Sequence, residues 1–519
     1  MRFAFILAAP FLLLPAASAQ SAAGEFSLAG TIVNSLTGAP VRNARVWLST
    51  GDQVESDAAG AFHFSRLAAG QYAVAAAKAG FESNGDGVAV DLHASRANLV
   101  IRLTPLASVR GRITDAEGEP VDGVTMVAMR SQVADGWRNY EPAGKAVTDD
   151  RGQYRIPWLP AGRYLVQAAG YDEHAFVGEP AATPKTHDAF APVYFGGSRD
   201  RDSAVLLALA PGGEAHADIS LTLQAGHRIT GHLTNLKPHT QPVLQLLSGD
   251  EDLGLNHSSL DFFTGDFQID NVVDGAYRLR VTGVGADDRP LVAEQEIQID
   301  GHDVTGISLA LGQGFTVKGT MRIDGPDGQT TAESVQEALQ GSFLQLVARG
   351  GPTFPSEPAV DGAFQIPSVI PGRYRVGFAV AEPLYVASAR SGDTDLLADP
   401  ELVLRSEPPP EIEVVLRTDS GSIEGTLAPE TMRDGPVCIV LVSESSRRPP
   451  EAACTGDGSF GFAAVAPGSY RLHAWKSRAE VEYNAPQVLT TLAASGTPVE
   501  VRPAANTKVQ LQTLSEESP

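Results

Sequence analysis

The stretch Gly362-Ala363-Phe364-Gln365-Ile366-Pro367-Ser368-Val369-Ile370-Pro371-Gly372-Arg373-Tyr374-Arg375-Val376 reads as two short strands joined by a turn. Phe364 and Ile366 share one face of the first strand, and Tyr374 and Val376 share one face of the second. The Pro- and Gly-containing segment between them turns the chain as a β-hairpin or a tight β-arch. Counted from the leading glycine, the frame is an aromatic at +2, an apolar residue at +4, an aliphatic at +7, glycine at +10, tyrosine at +12 and an aliphatic at +14. The same frame starts at Gly60 (Phe62, Phe64, Leu67, Gly70, Tyr72, Val74) and at Gly152 (Tyr154, Ile156, Leu159, Gly162, Tyr164, Val166). It starts again at Gly265 (Phe267, Ile269, Val272, Gly275, Tyr277, Leu279) and at Gly458 (Phe460, Phe462, Val465, Gly468, Tyr470, Leu472). Five copies of a fixed spacing make the chain a repeat of one small module. An acid often precedes the leading glycine, as in Asp361-Gly362 and Asp457-Gly458, a pair suited to a turn with positive φ.

Outward from each frame lie an opening strand and a closing strand. The opening strands centre on a glycine flanked by aliphatics two residues away on each side: Gly30, Gly111, Gly231, Gly319 and Gly425. The closing strands carry Ile101/Leu103, Ile219/Leu221, Ile307/Leu309, Val414/Leu416 and Val509/Leu511. These predict an all-β chain: five small Greek-key-type, immunoglobulin-like β-sandwiches over residues 20–104, 105–224, 225–314, 315–420 and 421–519. Insertions are read at Tyr171 to Asp202 and at Glu382 to Pro410, and the best helix candidate is Thr331 to Leu339. Nearly absent linkers predict a semi-rigid rod.

The run of Gly-x-Pro-Val (as at Gly118-Glu119-Pro120-Val121), a second strand, Asp-x-x-Gly-x-Phe and Leu-x-x-Gly-x-Tyr resembles the carboxypeptidase regulatory-like domain. The first two repeats resemble it best. The resemblance implies a transthyretin-like sandwich, also grouped with carbohydrate-binding-like folds and collagen-adhesin B-type repeats, and implies a mostly non-catalytic role. Some collagen-adhesin-like domains form Lys–Asn or Lys–Asp isopeptide staples from the first strand. Only Lys318 occupies an opening strand here, so general self-crosslinking is not expected.

Residues 1–19 read as a secretory signal, with an apolar run from Phe3 to Leu14 and Ala17-Ser18-Ala19 before Gln20. The mature chain is expected to be soluble, periplasmic or secreted, with no membrane span. Lys and Arg number 39 against 62 Asp and Glu, a net charge of −23, which argues against nucleic acid and anionic lipid as partners. The two cysteines, Cys438 and Cys454, flank one loop of the last repeat. Export favours a disulfide between them, with a Cα separation of about 4.4 to 6.8 Å, and two buried free thiols are the alternative.

Catalytic signatures are missing. None of the 11 histidines has Glu three residues on, so a zinc carboxypeptidase site is not expected, and neither is any other metal or cofactor. The acid cluster Asp250-Glu251-Asp252 lacks the alternating ligands of a calcium loop and reads as a solvated turn. The chain is therefore not expected to be an enzyme. Ligand binding would need exposed loop aromatics to stack on sugars. The candidates are Trp137 and Tyr140 in a polar stretch, Trp158 at +6 of the second frame, and Tyr194 and Phe195 in the insertion. The alternative is that these rings cap sandwich ends or pack between repeats; Trp47, which alternates with core positions, and Trp475, which continues a strand, are expected to be structural. The expected partner is a polysaccharide or an envelope protein, with a ligand-free structural spacer as the rival role.

Overall fold

The computed structural model describes residues 26–512 apart from 84–86, 135, 172–188, 238–239, 250, 254–257, 286–288, 325–338, 340, 349–352, 406, 433–435, 446–447 and 477–480. Residues 1–19, read as a signal, and most of the Thr331 to Leu339 helix candidate lie outside the described residues. The chain divides into two compact units. One runs to Val109 and includes Pro157–Ala161 and Ala208–Ala215, and the other holds the rest.

In the smaller unit, the opening strand Phe26–Asn34 lies between Ala61–Leu67, antiparallel, and Arg96–Pro105, parallel. The facing sheet runs Gln53–Glu55, Arg45–Leu48, Gly70–Ala77, Val88–Leu92. Leu28, Ile32, Val46, Phe62, Phe64, Val74, Ile101 and Leu103 fill the space between them. The larger unit repeats this plan. Around Gly362, Phe315–Asp324 pairs antiparallel with Ala363–Val369 and parallel with Ile412–Arg417, while Gly372–Ala379 joins the opposite sheet beside Phe343–Ala348. The chain is thus a tandem series of β-sandwiches.

The frame is therefore an arch that crosses between sheets, and one backbone feature explains its spacing. The residue at +6 is left-handed in all five copies: Arg66, Trp158, Asn271, Ser368 and Ala464 have φ between 53° and 60°. Opposite this point Phe315 and Val317 pair with Val369 and Ile366, so Thr316 alone faces Pro367 and Ser368 across a β-bulge. The bulge brings +4 and +7 onto the same buried face. Every framed aromatic, aliphatic and tyrosine is buried, from Phe62 through Leu472.

The opening glycine and the +2 ring are a single contact. Gly319 pairs with Phe364, and a Cβ there would lie 2.3 Å from Phe364 Cζ and 2.3 Å from the Ile412 carbonyl oxygen. Gly30 meets Phe62, Gly231 meets Phe267 and Gly425 meets Phe460 in the same way. The ring covers a strand position that has no side chain of its own.

The +12 tyrosine closes the arch. Tyr72, Tyr277, Tyr374 and Tyr470 each donate their hydroxyl to the carbonyl four residues earlier, at 2.7 to 2.9 Å. Burial pushes Tyr374 and Tyr470 up to about 12. A phenol raised in the folded state contributes stability in full below its unfolded value near 10, and that contribution is lost as pH rises through the folded value. Unfolding temperature should accordingly hold steady to about pH 10 and fall between about pH 10 and 12, together with a rise in phenolate absorbance. Replacing Tyr374 with Phe should lower stability by about 1 kcal/mol at pH 7 and flatten that decline. A fall complete by pH 9 would contradict this account.

Three expectations need correction. The segment Glu382 to Pro410 is more than an insertion, because Tyr385–Ser391 and Glu401–Leu404 are strands that complete both sheets of their sandwich. A helix at Pro486–Ala494 escaped the sequence reading, although Pro opens it at its first turn. It covers the outer face of Val437–Ser443, whose seven residues are all buried: Ile439 and Leu441 toward the sandwich core, Val440 and Val442 toward Tyr483 and Leu492. Nor is the larger unit a simple linear rod. Arg448 of the last repeat donates to the carbonyls of Val386 and Ala387 in the preceding one, and the second repeat reaches both, as described below.

Cys438 and Cys454 are disulfide-bonded direct partners on adjacent antiparallel strands. Their Cα atoms are 3.9 Å apart, closer than the expected range and closer than the about 4.5 Å of an ordinary non-hydrogen-bonded antiparallel pair.

Candidate functional site

The polar stretch holding Trp137 and Tyr140 is a strand, not a loop. Val124–Ala134 and Trp137–Val147 form one long antiparallel hairpin, with Ala134 opposite Trp137 and Ser131 opposite Tyr140. The sequence signal was Asp135-Gly136, a strong two-residue hairpin pair, and Gly136 has φ +73°.

The tip of this hairpin meets two later repeats of the same unit around a cavity of about 670 Å³. Trp137 is half-buried, and the Arg375 guanidinium lies 3.8 Å from the centre of its ring. Arg138 is ion-paired with Glu482, and both side chains are mostly buried. The Gly136 carbonyl accepts the Asn484 N–H at 3.0 Å, and the Tyr483 ring lies so close that a Cβ on Gly136 would come within 2.4 Å of it. On the far wall Arg373 pairs with Glu401 at 3.4 Å, and Arg201 sits 5.5 Å over Tyr140. Three arginines (138, 373, 375) and three acids (Asp202, Glu401, Glu482) line the cavity, so its formal charge is balanced.

The cavity brings Trp137 and Tyr140 together. Trp158, Tyr194 and Phe195 are not among its lining residues. Trp158 is 66% exposed at the left-handed bulge position. Tyr194 is fully buried on the short strand Val193–Tyr194, paired with Gln167, and so presents no face to a ligand. Its neighbour Phe195 is half-buried and donates its N–H to Val166. Trp475 is buried with its ring stacked on His473, and Trp47 is half-buried beside Arg45. Lys318 is exposed.

Sequence reading missed Arg138, Arg373, Arg375, Glu401 and Glu482. The available signal was Arg373-Tyr374-Arg375, which places two cations at outward positions on either side of a buried tyrosine. Among the described residues no group of three or more His, Cys, Asp and Glu is placed to hold a metal ion. Glu251–Asp252 forms a short strand paired with Leu247 and Ser248, and Asp250 lies outside the described residues. No described helix is long and apolar enough to cross a membrane. The acids of the cavity face arginines, an arrangement that holds surfaces together or orients a polar ligand.

Comparison with solved structures finds low-identity likeness to pilins. The minor pilin GBS52 of Streptococcus agalactiae is 14% identical, with 38% of this chain and 96% of that one covered and a TM-score of 0.22. The shaft pilin spaA of Lactobacillus rhamnosus GG is 9% identical, with 38% and 98% covered and a TM-score of 0.22. The major pilin subunit BcpA of Bacillus cereus is 10% identical, with 60% and 98% covered and a TM-score of 0.15. No curated protein matches the chain. The carboxypeptidase regulatory-like domain family matches residues 27–104 and 108–187. The protein is thus a β-sandwich repeat chain that carries two tandem carboxypeptidase regulatory-like domains.

Proposed function

We propose that this chain is an exported, non-catalytic array of five β-sandwich modules, divided near residues 105, 225, 315 and 420, that serves as a structural or adhesive element at the cell envelope. The observation that carries this reading is the junction at Trp137. An aromatic residue that could have served a ligand is instead covered by Arg375, while Arg138 and Glu482 tie the same hairpin to the last repeat. Such contacts resist separation of modules, which suits an element that bears load or sets spacing. The secretory signal and the two regulatory-like domains support export and a non-catalytic role.

Calorimetry tests this. In the intact chain the second, fourth and last modules should unfold as one coupled transition. Trp137→Ala should remove about 1 to 2 kcal/mol of coupling and split that transition. If the trace is unchanged, the junction holds nothing together and the structural reading fails.

A second reading, glycan binding at the same place, is favoured by the size of the cavity and by the Tyr140 ring and Asn139 amide that line it. A glycan-array signal that disappears in Tyr140→Ala while the coupled transition persists would favour it over the structural one.

A further inference from the structure

The third repeat carries an aromatic feature that the junction does not use. Phe263 is 98% exposed and Phe262 58% exposed, on the turn between Ser258–Leu260 and Asp266–Val272. The turn does not need either ring. The Asp261 carboxylate accepts the N–H groups of Phe263 and Thr264 at 2.7 and 3.1 Å, and its backbone carbonyl accepts that of Gly265 at 2.8 Å. Two other frames turn at the corresponding place with an Asp one residue nearer the leading glycine and no aromatic: Asp57 accepts the N–H groups of Ala59 and Ala61, and Asp149 those of Arg151 and Gln153. The aromatic pair is particular to this repeat, whose turn is one residue longer. Two phenylalanines stand at the one turn where they add nothing to the fold and leave apolar surface in water.

Beside them the outer face of the four-stranded sheet forms an open groove of about 950 Å³. Its floor presents Thr230, His232, Asp266, Gln268 and Ser308, with Ser259 at the edge below the phenylalanines. His232 and Asp266 bond to each other at 3.0 Å, and no lysine or arginine is among the described residues that line the groove. Exposed flat rings on a backbone-held turn beside a floor of hydroxyl, amide and paired polar groups match a polyhydroxylated chain: a ring stacks on the apolar face of a sugar and the floor exchanges hydrogen bonds with its hydroxyls. An anionic polymer finds no cation here and meets the Asp266 carboxylate.

We propose that the groove floored by Thr230, Gln268 and Ser308 and walled by Phe262 and Phe263 is a binding site for a neutral polysaccharide. The site is separate from the Trp137 junction and does not depend on that junction being structural.

The full chain is run on native gels that contain neutral polymers (a β-glucan, a xylan, a galactomannan, a dextran) or anionic alginate, beside the Phe262→Ala/Phe263→Ala double variant, Phe263→Trp and Trp137→Ala. At least one neutral polymer should retard the wild-type chain. The double variant should lose about tenfold or more in affinity, while Phe263→Trp and Trp137→Ala keep it. Circular dichroism should show the double variant folded, as the Asp261-held turn requires. Three results would overturn the proposal: no retardation by any neutral polymer, retardation by alginate alone, or equal retardation of the double variant. A wild-type dimer in sedimentation velocity that the double variant abolishes would reassign the face to contact between two copies of the chain. Loss of retardation in Trp137→Ala alone would move the glycan site to the junction and leave this groove without a role.

Discussion

Gly319→Ala should unfold the fourth repeat, or lower its unfolding temperature by more than about 10 °C, a loss of about 3 kcal/mol or more. The new methyl would sit 2.3 Å from the Ile412 carbonyl oxygen and 2.3 Å from the Phe364 ring. The ring can tilt, but the carbonyl belongs to the parallel strand Ile412–Arg417 and cannot retreat without breaking the ladder that pairs Gly319 with Ile412. Two companion variants separate the causes. Gly341→Ala, where φ is +80° and nothing lies within 4 Å of the new Cβ, carries only left-handed strain and should cost about 1 kcal/mol. Adding Phe364→Leu to Gly319→Ala relieves the ring contact and not the carbonyl, so it should restore little. Full restoration by Phe364→Leu would place the whole cost on the ring and refute the backbone argument.

The modular fold was legible because its demands fall on residue types with few substitutes. Only glycine lets the closing strand and the +2 ring approach the opening strand, and only tyrosine fills the core at +12 while reaching the carbonyl at +8. The bulge at +6 was not legible. Arg66, Trp158, Asn271, Ser368 and Ala464 share a backbone conformation and no side-chain property. The arch over-determines their φ, and so the four other than Asn271 each absorb a modest strain that glycine or asparagine would reduce. For the same reason the choice between hairpin and arch could not be made from the turn alone. It depends on which sheet each arm joins, and that is a long-range fact.

The site was legible in part. Trp137 and Tyr140 stood out as aromatics in a polar stretch, and they do line one cavity. What covers them comes from positions more than 200 residues away, Arg375 and Glu482, and no local pattern announces that meeting. Tyr194 misled because two glycines follow it. Gly196 and Gly197 do turn the chain, but the strand before them packs inward. The helix at Pro486–Ala494 had a signal in a distant strand: the unbroken run Val437 to Val442 requires cover on both faces, and a sandwich supplies only one.

That doubly covered strand is also where the disulfide acts, and its reduction should have the second large effect. Cys438 and Cys454 close a loop with a sequence separation of 16, which for a chain-entropy contribution amounts to about 3 kcal/mol. The last repeat should therefore melt about 10 to 20 °C lower in reductant. The first and third repeats contain no cysteine and take no part in that junction, so they should keep their own transitions. The effect should also reach the junction. Cys438 is paired across the ladder with Trp475, whose ring stacks on His473, and His473 is bonded to the Leu492 carbonyl in the helix that borders the cavity. Loosening the strand frees that helix and, with it, the segment carrying Glu482. Hydrogen exchange after reduction should rise first in the Val437–Ser443 strand and the Pro486–Ala494 helix, then at the Trp137 hairpin. A paired Cys438→Ala/Cys454→Ala variant should reproduce this without reductant. Two reactive thiols in oxidised, denatured protein would show that the bond does not form. Unchanged exchange at the hairpin would show that the last repeat loosens without releasing its grip on the second.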